Sequence, residues 1–180
     1  NLNALPILNK FEVKAYFFIV PEFVDSTSQK EFFIKNIRPE INQFIDDELE
    51  DFEALTWEDI QLMLKDGHGI GSHTSSHTMT KHSDAESVDN EIIKSKEYLS
   101  EKLKDPIASF CSINNSFESL SPDSVRLIKK NYSLHFTTVA GENKSSNAFA
   151  IRRVNVESHW PDYAFRYAIG NWELRRWKEK

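Results

Sequence analysis

One cysteine in 180 residues excludes an internal disulfide, and the cysteine itself, Cys111, sits between Phe110 and Ser112 in an apolar run. A lone thiol in that setting reads as a small buried hydrophobe, not as a nucleophile. No apolar run approaches the roughly 18 residues needed to cross a bilayer, so no membrane span is expected. The first residues also lack the basic segment followed by an apolar one that marks a secretory leader. Basic clusters are missing too: 22 Lys and Arg stand against 28 Asp and Glu, for a net charge of −6. No stretch could track a phosphate backbone, which excludes nucleic acid as the expected partner. With only five glycines and six prolines, there is no linker, low-complexity segment or repeat, and one domain spanning residues 1–180 is expected. What is present in quantity is core material. Hydrophobic residues make up 39% of the chain and aromatics 12%, enough for a substantial interior.

Strand and helix patterns alternate along the chain. Leu2, Leu5, Ile7 and Leu8 open it as a helix, and residues 13–20 form an apolar, aromatic and β-branched run of the kind found in strands buried on both faces. Residues 25–55, with the acidic run Asp46-Asp47-Glu48-Leu49-Glu50-Asp51, read as a surface excursion with one helix. Thr56 is placed to cap a helix with Asp59 at its third position, Ile60, Met63 and Leu64 facing inward and Gly67 as the stop. Residues 69–72 read as a short strand. Ser83 and Glu86 match a capping box before a helix that carries Val88, Ile92, Leu99 and Leu103 on one face to about residue 104. Strands are expected at 107–112, 134–139 and 150–156, with a helix capped by Ser121 and opened by Pro122 between the first two and a terminal helix from about Asp162. This alternation suits right-handed crossovers and predicts a parallel α/β sheet or barrel.

The stretch that carries chemistry is Asp66-Gly67-His68-Gly69-Ile70-Gly71-Ser72-His73-Thr74-Ser75-Ser76-His77. Two histidines four apart can present ring nitrogens to one ion when the backbone between them turns tightly, and imidazole suits zinc and its neighbours. His73 follows the strand at 69–72, and the carboxyl ends of strands form the reactive edge of parallel α/β folds. Spacing alone is a weak signal, because His-x-x-x-His arises often by chance.

Together with Leu55-Thr56-Trp57-Glu58-Asp59-Ile60 before it, this stretch resembles the second motif of the polysaccharide deacetylases, the nodulation-deacetylase homology family also called carbohydrate esterase family four. Lys14-Ala15-Tyr16-Phe17-Phe18-Ile19 is similar to that family's second strand, Phe136-Thr137-Thr138-Val139 to a later one, and Arg153-Val154-Asn155-Val156 to its arginine-containing segment. The resemblance implies a distorted (β/α) barrel of fewer than eight strands, incomplete here because the chain starts in its first helix and lacks the first strand. It implies hydrolysis of acetyl groups from N-acetylated sugars of a glycan. A divalent metal, with zinc foremost, would be held by His73 and His77, and Arg153 would orient a catalytic aspartate. The location it suggests is a bacterial cytoplasm or cell envelope, the cytoplasm first.

The chain departs from the family in four places. The Asp-Asp pair that supplies the base and third ligand would precede the first helix, so neither aspartate is present. Ser112-Ile113-Asn114-Asn115-Ser116-Phe117 replaces a segment rich in proline, aromatics and glycine that offers an amide to the oxyanion. Thr78 replaces a proline, and no late Leu-x-His appears before Lys180. An open edge without its first strand would also invite pairing into a homo-oligomer.

Of the other histidines, His68 and His135 lie where a structural role is expected, His82 reads as a surface residue, and His159 is ambiguous between pocket and surface. Ser72 and Thr74 could steady His73 or serve only the turn. Trp160 could stack on sugar, while Trp172 and Trp177 at helical spacing read as packing residues. Three readings follow: a metal-dependent deacetylase, a deacetylase-like glycan- or protein-binding module without catalysis, and an assembly domain whose histidines bind no metal.

Overall fold

The protein is described by a computed structural model covering residues 2–37, 54–114, 119–141, 143, 149–156 and 160–167. A 3₁₀ turn at Leu2–Ala4 leads into α1 (Leu5–Lys10), then β1 (Tyr16–Ile19), α2 (Pro21–Asp25), α3 (Gln29–Phe32) and a π-helical turn at Phe33–Ile37. Further along the chain come α4 (Trp57–Lys65) and β2 (Gly69–Ser72); residues 38–53, most of the expected surface excursion, lie outside the described residues. Next follow α5 (Ala85–Asp89), a π-helical turn at Asn90–Lys94 and α6 (Ser95–Leu103). The described elements end with β3 (Ser109–Cys111), α7 (Pro122–Asn131), β4 (Leu134–Phe136) and β5 (Phe149–Ile151), and residues 162–167 are helical.

All five strands pair in parallel, in the sequential order β1-β2-β3-β4-β5. A doubly wound sheet reverses its strand order at a switch point, and no reversal occurs here. The sheet is the wall of a barrel-type fold, left open among the described residues.

Local chemistry explains the boundaries. Thr56 accepts a hydrogen bond from the Asp59 amide while Asp59 accepts one from the Thr56 amide, the reciprocal box that frees α4 of orphan donors. Gly67 supplies the left-handed residue after it, at φ +82°. Ser121 caps α7 ahead of Pro122. The box expected from Ser83 is shifted by one residue: Asp84 is the cap, accepting from the Ser87 amide at 2.8 Å, while Ser83 bonds back to the Met79 carbonyl. Asp84 wins because a carboxylate is the stronger acceptor for an orphan amide.

The core lies between the sheet and its helices. Ile19, Ile70 and Phe110 meet Ile60 and Met63 from α4, Val88, Ile92, Leu99 and Leu103 from the α5–α6 segment, and Ile128 from α7. The opposite face is aromatic. Phe18 packs on Tyr16 and Phe136, with ring centroids 6.3 and 5.1 Å away, and the rings of Tyr16 and Phe18 lie over Gly69 and Gly71. A Cβ on Gly71 would sit 2.5 Å from the Phe18 ring and 2.6 Å from the Ser109 hydroxyl. Because Phe18 is hemmed by its aromatic neighbours, Gly71→Ala is expected to cost about 1–3 kcal/mol through overpacking, seen as a lower urea midpoint with unchanged slope.

Candidate metal site

The site is assembled at the carboxyl ends of β1, β2 and β3. The His73 amide donates to the Ile19 carbonyl at 2.9 Å, which extends the β1–β2 pairing by one step. The chain then turns sharply. Thr74 adopts φ +66° and His77 φ +64°, a left-handed conformation that is an outlier for a β-branched residue and costs on the order of 1–3 kcal/mol at each such position. The buried Thr74 hydroxyl accepts the His77 amide at 3.0 Å. Ser75 is held on its other side, its carbonyl accepting the Glu22 amide at 3.1 Å and its hydroxyl donating to the Glu22 carboxylate at 2.9 Å.

This turn brings the two imidazoles together, with ring centroids 5.2 Å apart and planes inclined at 73°. Nδ1 of His73 lies 2.8 Å from the Cys111 carbonyl. A carbonyl can only accept, so the proton sits on Nδ1 and the lone pair of the neutral ring on Nε2. Nδ1 of His77 lies 3.3 Å from the Asn36 carbonyl, which selects the same tautomer. Tying one ring nitrogen to a backbone carbonyl is how metal-binding histidines are oriented. Burial pushes His73 down to about 4, helped by His77 and Arg153 nearby and opposed by the Cys111 carbonyl, so the ring is in its neutral, ligating form at neutral pH.

Both rings line a cleft of about 1070 Å³ whose wall includes Tyr16, Phe18, Phe23 and Phe33. In donor chemistry the pair fits half of a tetrahedral set for zinc or a similar ion. Among the described residues, no group of three or more His, Cys, Asp and Glu side chains completes it.

Arg153 is close enough to depress both His73 and His135 electrostatically. Its Nε donates to the Thr137 carbonyl at 2.8 Å and its amide to the Val139 carbonyl at 3.1 Å, so the segment following β4 holds it from two points. Arg153→Met is expected to raise the titration of both imidazoles, read by NMR.

The remaining candidates sort by position. His68 is buried, accepts the Ala15 amide on Nδ1 at 3.3 Å and meets Phe17 edge-on, so it is part of the core. His135 is equally buried, with Nε2 2.6 Å from the Ser112 hydroxyl, and His82 is exposed. Ser72 does not steady the His73 ring; its hydroxyl is 2.5 Å from that of Ser95, on the helix side of the sheet. Thr74 acts on His77 instead of His73. Cys111 is buried and its thiol is pushed up to about 11 by burial; it contributes only its carbonyl. Trp160 is half-buried. His159, Trp172, Trp177 and residues 115–117 of the altered segment lie outside the described residues.

Two anchors escaped the sequence. The carbonyls of Cys111 and Asn36 leave no side-chain signature. Glu91 does: it interrupts the apolar stripe of its helix between Val88 and Ile92 and is 8% exposed, and a charge on an inward face needs partners.

Comparisons with known proteins bear on the fold and the family. No curated protein sequence matches the chain. Among solved structures, a polysaccharide deacetylase from Bacillus cereus is similar with a TM-score of 0.64 and 19% identity, over 94% of this chain and 47% of that one. A Streptococcus pyogenes deacetylase in complex with acetate gives a TM-score of 0.61 at 19% identity, covering 84% and 57% of the two chains. A family 4 acetyl xylan esterase from Clostridium thermocellum in complex with a cobalt ion gives 0.50 at 14%, covering 97% and 77%. At these identities the likeness is one of fold, and the chain spans about half the length of the first two proteins. The family model for polysaccharide deacetylases matches residues 2–133, and the chain therefore belongs to the polysaccharide deacetylase family.

Proposed function

We propose that residues 1–180 act as one deacetylase domain in which His73 and His77 supply two ligands to a divalent cation, zinc foremost, for removing acetyl groups from N-acetylated sugars of a glycan. The observation that carries this is the paired anchoring of two imidazoles through Nδ1 at the rim of a large cleft. A bound divalent cation polarises an amide carbonyl and lowers the pKa of its water. The chain's own residues position the ion's ligands and shape the cleft. The carbonyls of Cys111 and Asn36 fix the rings, and the aromatic wall offers apolar faces to a sugar. Arg153, held at the Thr137 carbonyl, is the residue that would orient a catalytic aspartate.

Zinc titration of the protein and of His77→Ala tests the reading. The unmodified chain is expected to take up one equivalent, and the variant to bind on the order of 100-fold more weakly, since it loses a direct ligand. Equal metal content in both would remove the ligand assignment. Acetate release from N-acetylglucosamine oligomers should track metal content.

A second reading, a glycan- or protein-binding module without catalysis, draws support from two facts. No third donor joins the histidines among the described residues. In addition, Ser112, in the altered segment, is fully buried against His135 instead of facing the cleft. Oligosaccharide binding without acetate release would select this reading.

A further inference from the structure

Between the two histidines lie only Thr74, Ser75 and Ser76, and three hydrogen bonds from this short stretch converge on one buried side chain. Glu91 Oε2 accepts the Ser75 amide at 2.9 Å and the Ser76 amide at 3.0 Å, while Oε1 accepts the Ser76 hydroxyl at 2.6 Å. Two successive amides aimed at one carboxylate oxygen form a backbone nest for an anion. The carboxylate comes from the helix layer, where the helix carrying it changes pitch. Glu91 sits in the π-helical turn Asn90–Lys94, whose Ile92 carbonyl receives the buried Tyr132 hydroxyl at 2.6 Å. Such turns are rare and recur at functional positions, where the extra residue re-aims a side chain.

The turn needs an outside hold. With Thr74 and His77 both left-handed, local preference favours relaxation, and relaxation would separate the rings. We propose that Glu91 is a positioning residue for the histidine pair: its carboxylate holds the Ser75–Ser76 turn so that His73 and His77 stay within reach of one ion. This rests on the metal reading above and extends it to a residue on the helix layer.

The hydrogen bonds, more than the charge, do the positioning. Glu91→Gln keeps all three contacts, because its carbonyl oxygen can take both amides and the Ser76 hydroxyl can turn acceptor toward the new NH₂. Its Zn²⁺ affinity is expected within about threefold of the unmodified protein, whereas Glu91→Leu is expected to bind about 10- to 100-fold more weakly, the range seen when groups behind metal ligands are lost. With Co²⁺ as probe, the visible absorption of the Leu variant should weaken and shift while that of the Gln variant is retained. A melting temperature measured in chelator reports the fold separately. Zn²⁺ affinity unchanged in Glu91→Leu, whatever its melting temperature, overturns the proposal, as does a Gln variant as weak as the Leu variant. If Glu91→Leu does not fold, Ser76→Ala, which removes only the hydroxyl contact, should bind about three- to tenfold more weakly, and unchanged binding there is equally fatal. His77→Ala separates the two layers of argument: if it too binds normally, the ligand pair itself is wrong, and if it alone is weakened, only the role of Glu91 falls.

Discussion

Between pH 7 and pH 5, in chelator, the protein is expected to lose on the order of 3–4 kcal/mol of stability through two imidazoles. His73 and His135 are each pushed from the ordinary 6.5 down to about 4, in both cases first by burial and further by Arg153. A histidine whose folded value is depressed contributes stability that is whole above 6.5 and lost as pH falls toward 4, because the unfolded chain takes up protons that the folded chain refuses. About 2 kcal/mol per ring is at stake above pH 5, where most carboxylates remain ionised. Urea midpoints at pH 7, 6 and 5 measure this. His135→Gln, which can still bond Ser112, should remove about half of the slope, and an unaltered slope would show that neither ring is the source.

Phe110→Ala is expected to cost about 3–5 kcal/mol. Phe110 is fully buried in the central strand β3, with Tyr132 at 5.2 Å and His135 at 5.9 Å between ring centroids, so the void it leaves opens in the middle of the layer. For a domain of this size the loss approaches a large share of total stability, and thermal melts should show it as a fall of roughly ten degrees or more. A fall of only a degree or two would mean that Tyr132 and His135 collapse into the space.

Much of the fold was legible because its signals are local. Thr56 with Asp59, Ser121 with Pro122, and the Gly-Ile-Gly strand each declare an element within a few residues. The inward positions Val88, Ile92, Leu99 and Leu103 are all buried as their spacing predicts. The expected strand at 107–112 shortens to Ser109–Cys111, since pairing partners, not propensity, set strand length. The π-helical turn at Asn90–Lys94 was not legible: it arises from Tyr132 and the Ser75–Ser76 amides, far away in sequence. At the site, the histidine spacing named the pair. What orients each ring is backbone from other elements, and a carbonyl has no letter in the sequence. Glu91 was not read from the sequence, although a charge in an apolar stripe is a local signal that could have found it.

The two imidazoles are moored to different bodies. His73 is fastened to the sheet through Ile19 and Cys111, whereas His77 reaches the Asn36 carbonyl in the turn that follows α3. The bite between the donors is thus set by how the segment after β1 lies on the sheet, and an oligosaccharide that presses on that segment would alter the bite without touching either ring. On the proposed metal and glycan reading, occupancy by glycan and grip on the ion would become linked quantities, each able to tighten the other.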